Sequence, residues 1–319
     1  MRKKIAMAAF GAAFSLAAAC AQAATYTSYY AFGDSLTDDG KLMLPVPYFD
    51  GRFSSGPVWA DYIAERFTDR GLDTFNLALG GATAGDANKN ADGDLTNGEY
   101  PEPLKVFATL NDQIDFFASN IFGASSGDNP LVSLFLGAND IFQGGNAFDA
   151  ANALADGIER LIGLAPTLND FLISTLPDLG DGVIAGQFNA ALFDRLSLLD
   201  PEINLIVLDQ NVFQADLFPR LGSLGVTNFA TPCLVPSAGF DCTITGFDAN
   251  GQPIRDLSIA DTYYLMDDVH PGGVIQREFG AFALAALEDN LPAAVPLPAG
   301  FPLLLIGLGG LFALRRRAA

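Results

Sequence analysis

The chain has 319 residues, half of them hydrophobic, with 37 acidic side chains against 17 basic ones, three cysteines and one histidine. Six of the cations sit at the two ends, Arg2 to Lys4 and Arg315 to Arg317, which leaves 11 Lys and Arg against all 37 Asp and Glu, a net charge near −26. So acidic a surface repels phosphate backbones and excludes nucleic-acid binding, and one His with two cysteines beyond Cys20 is too few for a thiolate or imidazole zinc cluster.

Residues 1–23 run from Arg2, Lys3 and Lys4 through a short apolar stretch to Ala21-Gln22-Ala23, the layout of a cleavable export signal. Cys20 in LAAAC offers a second reading, a lipoprotein acylation site. Residues 24–291 have the length of one large α/β domain. Within it, YYAFGDSLTDDG at 29–40 predicts a buried strand that breaks at Gly33 into Asp34, Ser35 and Thr37. PVWADYIAERFTDRG follows with helical spacing, Pro57 suited to its first turn and Gly71 to its end.

DTFNLALGG predicts a second strand, and an Asp-, Asn- and Gly-rich excursion over 83–103 comes after it. There NKNADGDLTNGE places Asn88, Asn90, Asp92, Asp94 and Glu99, with Gly93 at the turn, at the spacing of a twelve-residue calcium loop. Asn88 stands where an aspartate is usual, and a plain solvent-facing loop is the competing reading. Helical spacing over 104–122, 147–165 and 182–199 alternates with the apolar runs PLVSLFLGAND, DFLISTLPD and INLIVLDQN. Strands that are apolar throughout and alternate with helices predict a three-layer α/β/α sandwich around a mostly parallel sheet of about five strands.

A second irregular stretch, 226–262, holds Cys233 and Cys242, an even pair most simply read as a local disulfide in an exported chain. A last helix is expected near 273–290. Residues 292–319 enter through prolines, carry no charge from Ala293 to Leu314 and close on three arginines, enough to cross a bilayer with the basic end in the cytoplasm.

In a parallel sheet the ligand site lies at the carboxyl ends of the strands. Those ends carry Gly33-Asp34-Ser35, Gly80-Gly81-Ala82-Thr83 and Gly137-Ala138-Asn139-Asp140. Ser35 needs a base, because a hydroxyl is a weak nucleophile until a neighbour takes its proton. The only histidine is His270 in YYLMDDVHPGG. Asp267, three residues before it, is close enough to hold Nδ1–H and leave Nε2 for Ser35. GASSG at 123–127 also fits a nucleophile pattern, but Ser125 follows a helical segment and precedes a strand, the reverse of what that elbow needs.

FGDSLTDDG, NLALGGAT, LGAND and DDVHPG, in this order, resemble the blocks of the GDSL-type SGNH hydrolases, and GRFSSGPVWADYIAE is also similar to that family. The resemblance implies a flavodoxin-like fold and a carboxylic ester hydrolase without a cofactor. It implies Ser35 as nucleophile, His270 as base, Asp267 as its orienter, and an oxyanion hole from the Ser35 and Gly81 N–H groups and the Asn139 side chain. Asp34 and Asp140 are expected to hydrogen-bond loop backbones. The C-terminal segment resembles the PEP-CTERM sorting tails that begin VPLPA, which implies export and sorting machinery as partners and an envelope or extracellular location, with a permanent membrane anchor as the alternative. Short acyl esters, lipids and acetylated sugars all remain open as the ester substrate. A surface-anchored binding protein on an inactivated hydrolase fold is the rival reading, opposed by the intact set of five residues.

Overall fold

The computed structural model describes residues 25–91, 100–125, 127–180 and 182–288. The expected export signal with Cys20, the C-terminal tail, and Asp92, Asp94 and Glu99 of the calcium-loop pattern lie outside the described residues. Five strands, β1 (Ser28–Gly33), β2 (Asp73–Asn76), β3 (Pro130–Phe135), β4 (Asp170–Ser174) and β5 (Asn204–Leu208), form one parallel sheet in the order β2-β1-β3-β4-β5. β1 and β3 are buried at every position, which is why their sequences are apolar without alternation, whereas edge strand β2 alternates exposed and half-buried residues.

The helices are α1 (Trp59–Thr68), α2 (Leu110–Asn120), α3 (Phe122–Ser125), α4 (Ala138–Phe142), α5 (Ala147–Leu164), α6 (Gly182–Leu196), α7 (Gln210–Leu217) and α8 (Gly273–Leu287). Strand periodicity assigns them to layers. On β1, the Tyr29 ring meets Phe67 of α1 at 5.6 Å, while Tyr30 on the opposite face meets Phe117 of α2 at 4.9 Å. Phe135 pairs in register with Gly33 and so shares the Tyr29 face, where it meets Trp59 of α1 and Phe279 of α8. The α1 and α8 layer therefore covers one face, and α2, followed by α5 and α6, covers the other. Each fully buried aromatic of this kind contributes about 1.5–3 kcal/mol.

Two helix boundaries differ from expectation. α1 opens at Trp59 rather than Pro57, because the Asp61 carboxylate accepts the Val58 N–H at 2.9 Å and closes the first turn there. The single helix expected over 104–122 is divided. A 3₁₀ segment, Glu102–Phe107, precedes Thr109, whose extended backbone pairs with Thr83 before its hydroxyl caps α2 by accepting the Asp112 N–H.

The stretch 226–262 forms two small antiparallel ribbons, β6 (Leu234–Val235) with β7 (Phe240–Asp241) and β8 (Ile244–Phe247) with β9 (Pro253–Arg255). They enclose a second, minor core of Cys233, Leu234, Cys242, Ala260 and Met266. Cys233 and Cys242 are joined in a disulfide, a cross-link that contributes about 2–3 kcal/mol on the chain-entropy model for so short a loop. Because the strand order reverses at β1, with β2 on one side and β3 on the other, a crevice opens beyond their carboxyl ends.

Candidate active site

Ser35 is held at the end of β1 by contacts that the turn itself does not supply. The buried Gln113 side chain of α2 brackets Gly33, accepting its N–H at 3.0 Å and donating to its carbonyl at 2.9 Å. A Cβ on Gly33 would lie 2.6 Å from the Thr37 Cβ, so only glycine lets the chain fold back so tightly. Thr37 is fixed in turn by the Trp59 indole N–H at 3.2 Å and by Asn76, which donates to its carbonyl at 2.7 Å.

The hydroxyl of Ser35 reaches His270 Nε2 at 2.8 Å, and His270 Nδ1 lies 2.8 and 2.9 Å from the two oxygens of Asp267. A carboxylate against Nδ1 keeps the proton there and leaves Nε2 to accept from the serine. Asp267 also accepts the backbone N–H of Val269 and of His270, and the Tyr48 hydroxyl donates to its Oδ2 at 2.6 Å. Burial alone would raise the Asp267 carboxyl, but the His270 ring and the Tyr48 hydroxyl outweigh it and hold the group at about 2. It is thus ionised at any neutral pH. The Phe53 ring packs on the imidazole with centroids 4.6 Å apart and also occupies the place of a Gly80 Cβ, 2.1 Å away.

The hairpin carrying the pair is short. Met266 N–H donates to the His270 carbonyl at 2.7 Å, and the carbonyls of Leu265 and Met266 accept from Cys233 and Leu234 of the disulfide-bonded ribbon.

Across the crevice stand the other expected groups. Neither Ser35 N–H nor Gly81 N–H has an acceptor among the described residues. Asn139 donates from Nδ2 to the Ala82 carbonyl at 3.0 Å; Gly137 takes the cap position of α4, so the Asn139 amide is not a cap. Asp140 accepts the N–H groups of Ala84 and Gly85, and Asp34 that of Leu36, the backbone-holding roles expected of them. Ser35, Gly81, Asn139 and His270 line one cavity of about 720 Å³, together with the buried side chains of Phe135, Phe213, Ile275 and Phe279. Ser125 ends the short helix α3, ahead of β3, so it precedes a strand rather than following one.

Two members of the calcium pattern, Asn88 and Asn90, lie among the described residues. Asn88 Nδ2 donates to the carbonyls of Gly81 and Ala108 at 3.1 and 2.6 Å, and its Oδ1 accepts the Asn90 N–H. Among the described residues no cluster of three or more His, Cys, Asp or Glu could hold a metal. Tyr48 and Gln113 lie outside every block that the sequence singles out, whereas Phe53 falls within GRFSSGP and Asp38 within FGDSLTDDG without the pattern revealing what either touches.

Burial pushes the Asp34 carboxyl up to about 7, helped by the nearby Asp140 and Asp38 and opposed by the Leu36 N–H. The folded protein therefore binds a proton that the unfolded chain has released above about 4, so this group's contribution to stability declines as pH rises from about 4 to 7. The melting temperature of wild type relative to Asp34→Asn should fall over that window in thermal unfolding. Parallel curves would show that Asp34 does not titrate there.

A family model described as GDSL-like Lipase/Acylhydrolase matches residues 29–281. The phosphatidylcholine-sterol acyltransferase of Aeromonas hydrophila is 34% identical over 162 residues, 47% of this chain and 44% of that protein. The thermolabile hemolysin of Vibrio parahaemolyticus is 31% identical over 241 residues, 72% of this chain and 51% of that protein. The chain spans about half the length of the curated relatives it matches. Among solved structures, a putative GDSL-like lipase from Parabacteroides merdae is similar with a TM-score of 0.47 at 12% identity, covering 84% of this chain and 98% of that one.

Proposed function

The chain belongs to the GDSL-like lipase/acylhydrolase family, and from that premise we propose that it hydrolyses carboxylic esters through an acyl-enzyme on Ser35. The observation that carries the reading is the unbroken relay from Ser35 Oγ to His270 Nε2 at 2.8 Å and from Nδ1 to Asp267 at 2.8 Å. Ser35 Oγ attacks the ester carbonyl carbon as Nε2 takes its proton, and the carbonyl electron pair moves onto oxygen. The N–H groups of Ser35 and Gly81 and the second amide proton of Asn139 receive that oxyanion. Collapse expels the alkoxide, which takes the proton from Nε2. Water, deprotonated by the same nitrogen, then attacks the acyl carbon, releases the acid and restores the Ser35 hydroxyl. Asp267 stays ionised throughout and offsets the charge of the imidazolium.

The buried apolar side chains of Phe135, Phe213, Ile275 and Phe279 in the cavity lining favour an apolar acyl chain over acetyl. Each methylene buried there contributes about 0.8 kcal/mol, roughly fourfold in kcat/KM. The name of the Aeromonas relative, phosphatidylcholine-sterol acyltransferase, adds a phospholipid ester to the substrates worth trying.

A panel of p-nitrophenyl esters from acetyl to palmitoyl, beside acetylated xylan, tests the reading. kcat/KM should climb by an order of magnitude or more from acetyl to the medium chains. A preference for acetyl or for xylan overturns the acyl-chain assignment, and a folded protein that cleaves no ester overturns the hydrolase. The proposal extends to export, supported by the cationic and apolar start of the chain and by a disulfide of a kind that persists in oxidising compartments. The C-terminal segment then serves as a sorting signal or anchor.

A further inference from the structure

We propose that Tyr100, together with Asn88 and Asn90, is a clamp that sets the direction of the Gly81 N–H, a positioning role that rests on the Ser35 reading above. Three consecutive peptide planes lead through the glycine pair. In the first, the Leu79 carbonyl accepts the Ala82 N–H at 2.9 Å, and the Gly80 N–H donates to Asp38 Oδ2 at 2.7 Å. In the third, the Gly81 carbonyl accepts from Asn88 at 3.1 Å and from Asn90 at 3.4 Å. The middle plane is held on one side only: the Tyr100 hydroxyl donates to the Gly80 carbonyl at 2.7 Å.

A trans peptide is planar, with C=O and N–H pointing in opposite directions. Gripping the Gly80 oxygen therefore aims the Gly81 N–H away from Tyr100, and it is the one donor of the three planes left without an acceptor among the described residues.

The glycines explain why an outside grip is needed. A Cβ at Gly80 would lie 2.1 Å from the Phe53 ring, and one at Gly81, where φ is +86°, would lie 2.7 Å from the Tyr100 hydroxyl and 2.5 Å from Asn90 Nδ2. Side chains are thus excluded from the pair, and with them the steric restraint that would keep the peptide from turning over. The clamp supplies that restraint from a different segment. Tyr100 is suited to it, being nearly buried, with Asn90 donating to its hydroxyl at 3.3 Å. Burial pushes its phenol up to about 12, so it remains a donor at working pH.

Tyr100→Phe removes one hydroxyl and keeps the ring, so the test is the split between kcat and KM. The variant should lower kcat by roughly 10- to 100-fold with KM within about twofold of wild type. Its affinity for a boronic acid that forms a tetrahedral adduct on Ser35 should fall by the same factor as kcat. Unchanged kcat, or a loss confined to KM with adduct affinity intact, overturns the clamp. If Tyr100→Phe does not fold, Asn90→Ala is read in the same way. Failure of the clamp and failure of the Ser35 reading are separable: a wild-type protein that forms the adduct and a variant indistinguishable from it sink only the clamp, whereas a wild type that forms no adduct on Ser35 sinks the mechanism beneath it.

Discussion

Ser35→Ala and His270→Ala are each expected to lower kcat/KM by on the order of 10⁴–10⁶, the two losses being far from additive because nucleophile and base act as one unit. The reason is the proton. Ser35 Oγ and His270 Nε2 are 2.8 Å apart, and the chain contains no second histidine that could take over. Alanine at either position leaves the oxyanion donors standing, so a residual rate above that of water should persist. An organophosphonate should label wild type at Ser35, and labelling should vanish in Ser35→Ala while the melting temperature stays close to wild type. An active Ser35→Ala protein, or a label on Ser125, would overturn the assignment.

Asn139→Ala comes next, with kcat expected to drop by about 10²–10³ and KM nearly unchanged, because an uncharged donor aimed at the developing oxyanion acts mainly in the transition state. Gly137, at φ +121°, starts α4 and leaves Asn139 in its first turn with the amide available. The bond to the Ala82 carbonyl uses one amide proton and orients the other. Asn139→Asp should be no better than alanine, since a carboxylate would repel the oxyanion. Steady-state kinetics of both variants decides it. Wild-type kcat in Asn139→Ala would mean that the backbone N–H groups of Ser35 and Gly81 suffice.

The five strands were legible because a sheet covered on both faces demands unbroken apolar runs, and β1 and β3 are such runs. Helices α4 and α7 were not, since neither is long enough to repeat a 3.6-residue period convincingly. The ribbons of 226–262 have too few residues per strand to alternate visibly. In the site, Ser35, Asp267 and His270 could be found from chemistry and a spacing of three residues. Their supports could not, because these meet the site from afar: Tyr48 is 219 positions from Asp267, and Gln113 is 80 from Gly33. Asn88 and Asn90 show a different limit of the sequence. A sequence reveals that an amide is present but not which end of it is used, and here the nitrogens face backbone carbonyls.

Ser35 and His270, the proposed nucleophile and base, ride on different parts of the molecule. Ser35 extends from a central strand of the sheet, while the 265–271 hairpin is tied by Leu265 and Met266 to the disulfide-bonded ribbon and its separate minor core. Small units of that kind open at lower free energy than a central sheet does. Heat or denaturant that loosened the minor core would part His270 from Ser35 with the sheet still standing. Activity is then a gauge of the weaker partner in a mechanical joint, and a silent enzyme is not the same thing as an unfolded one.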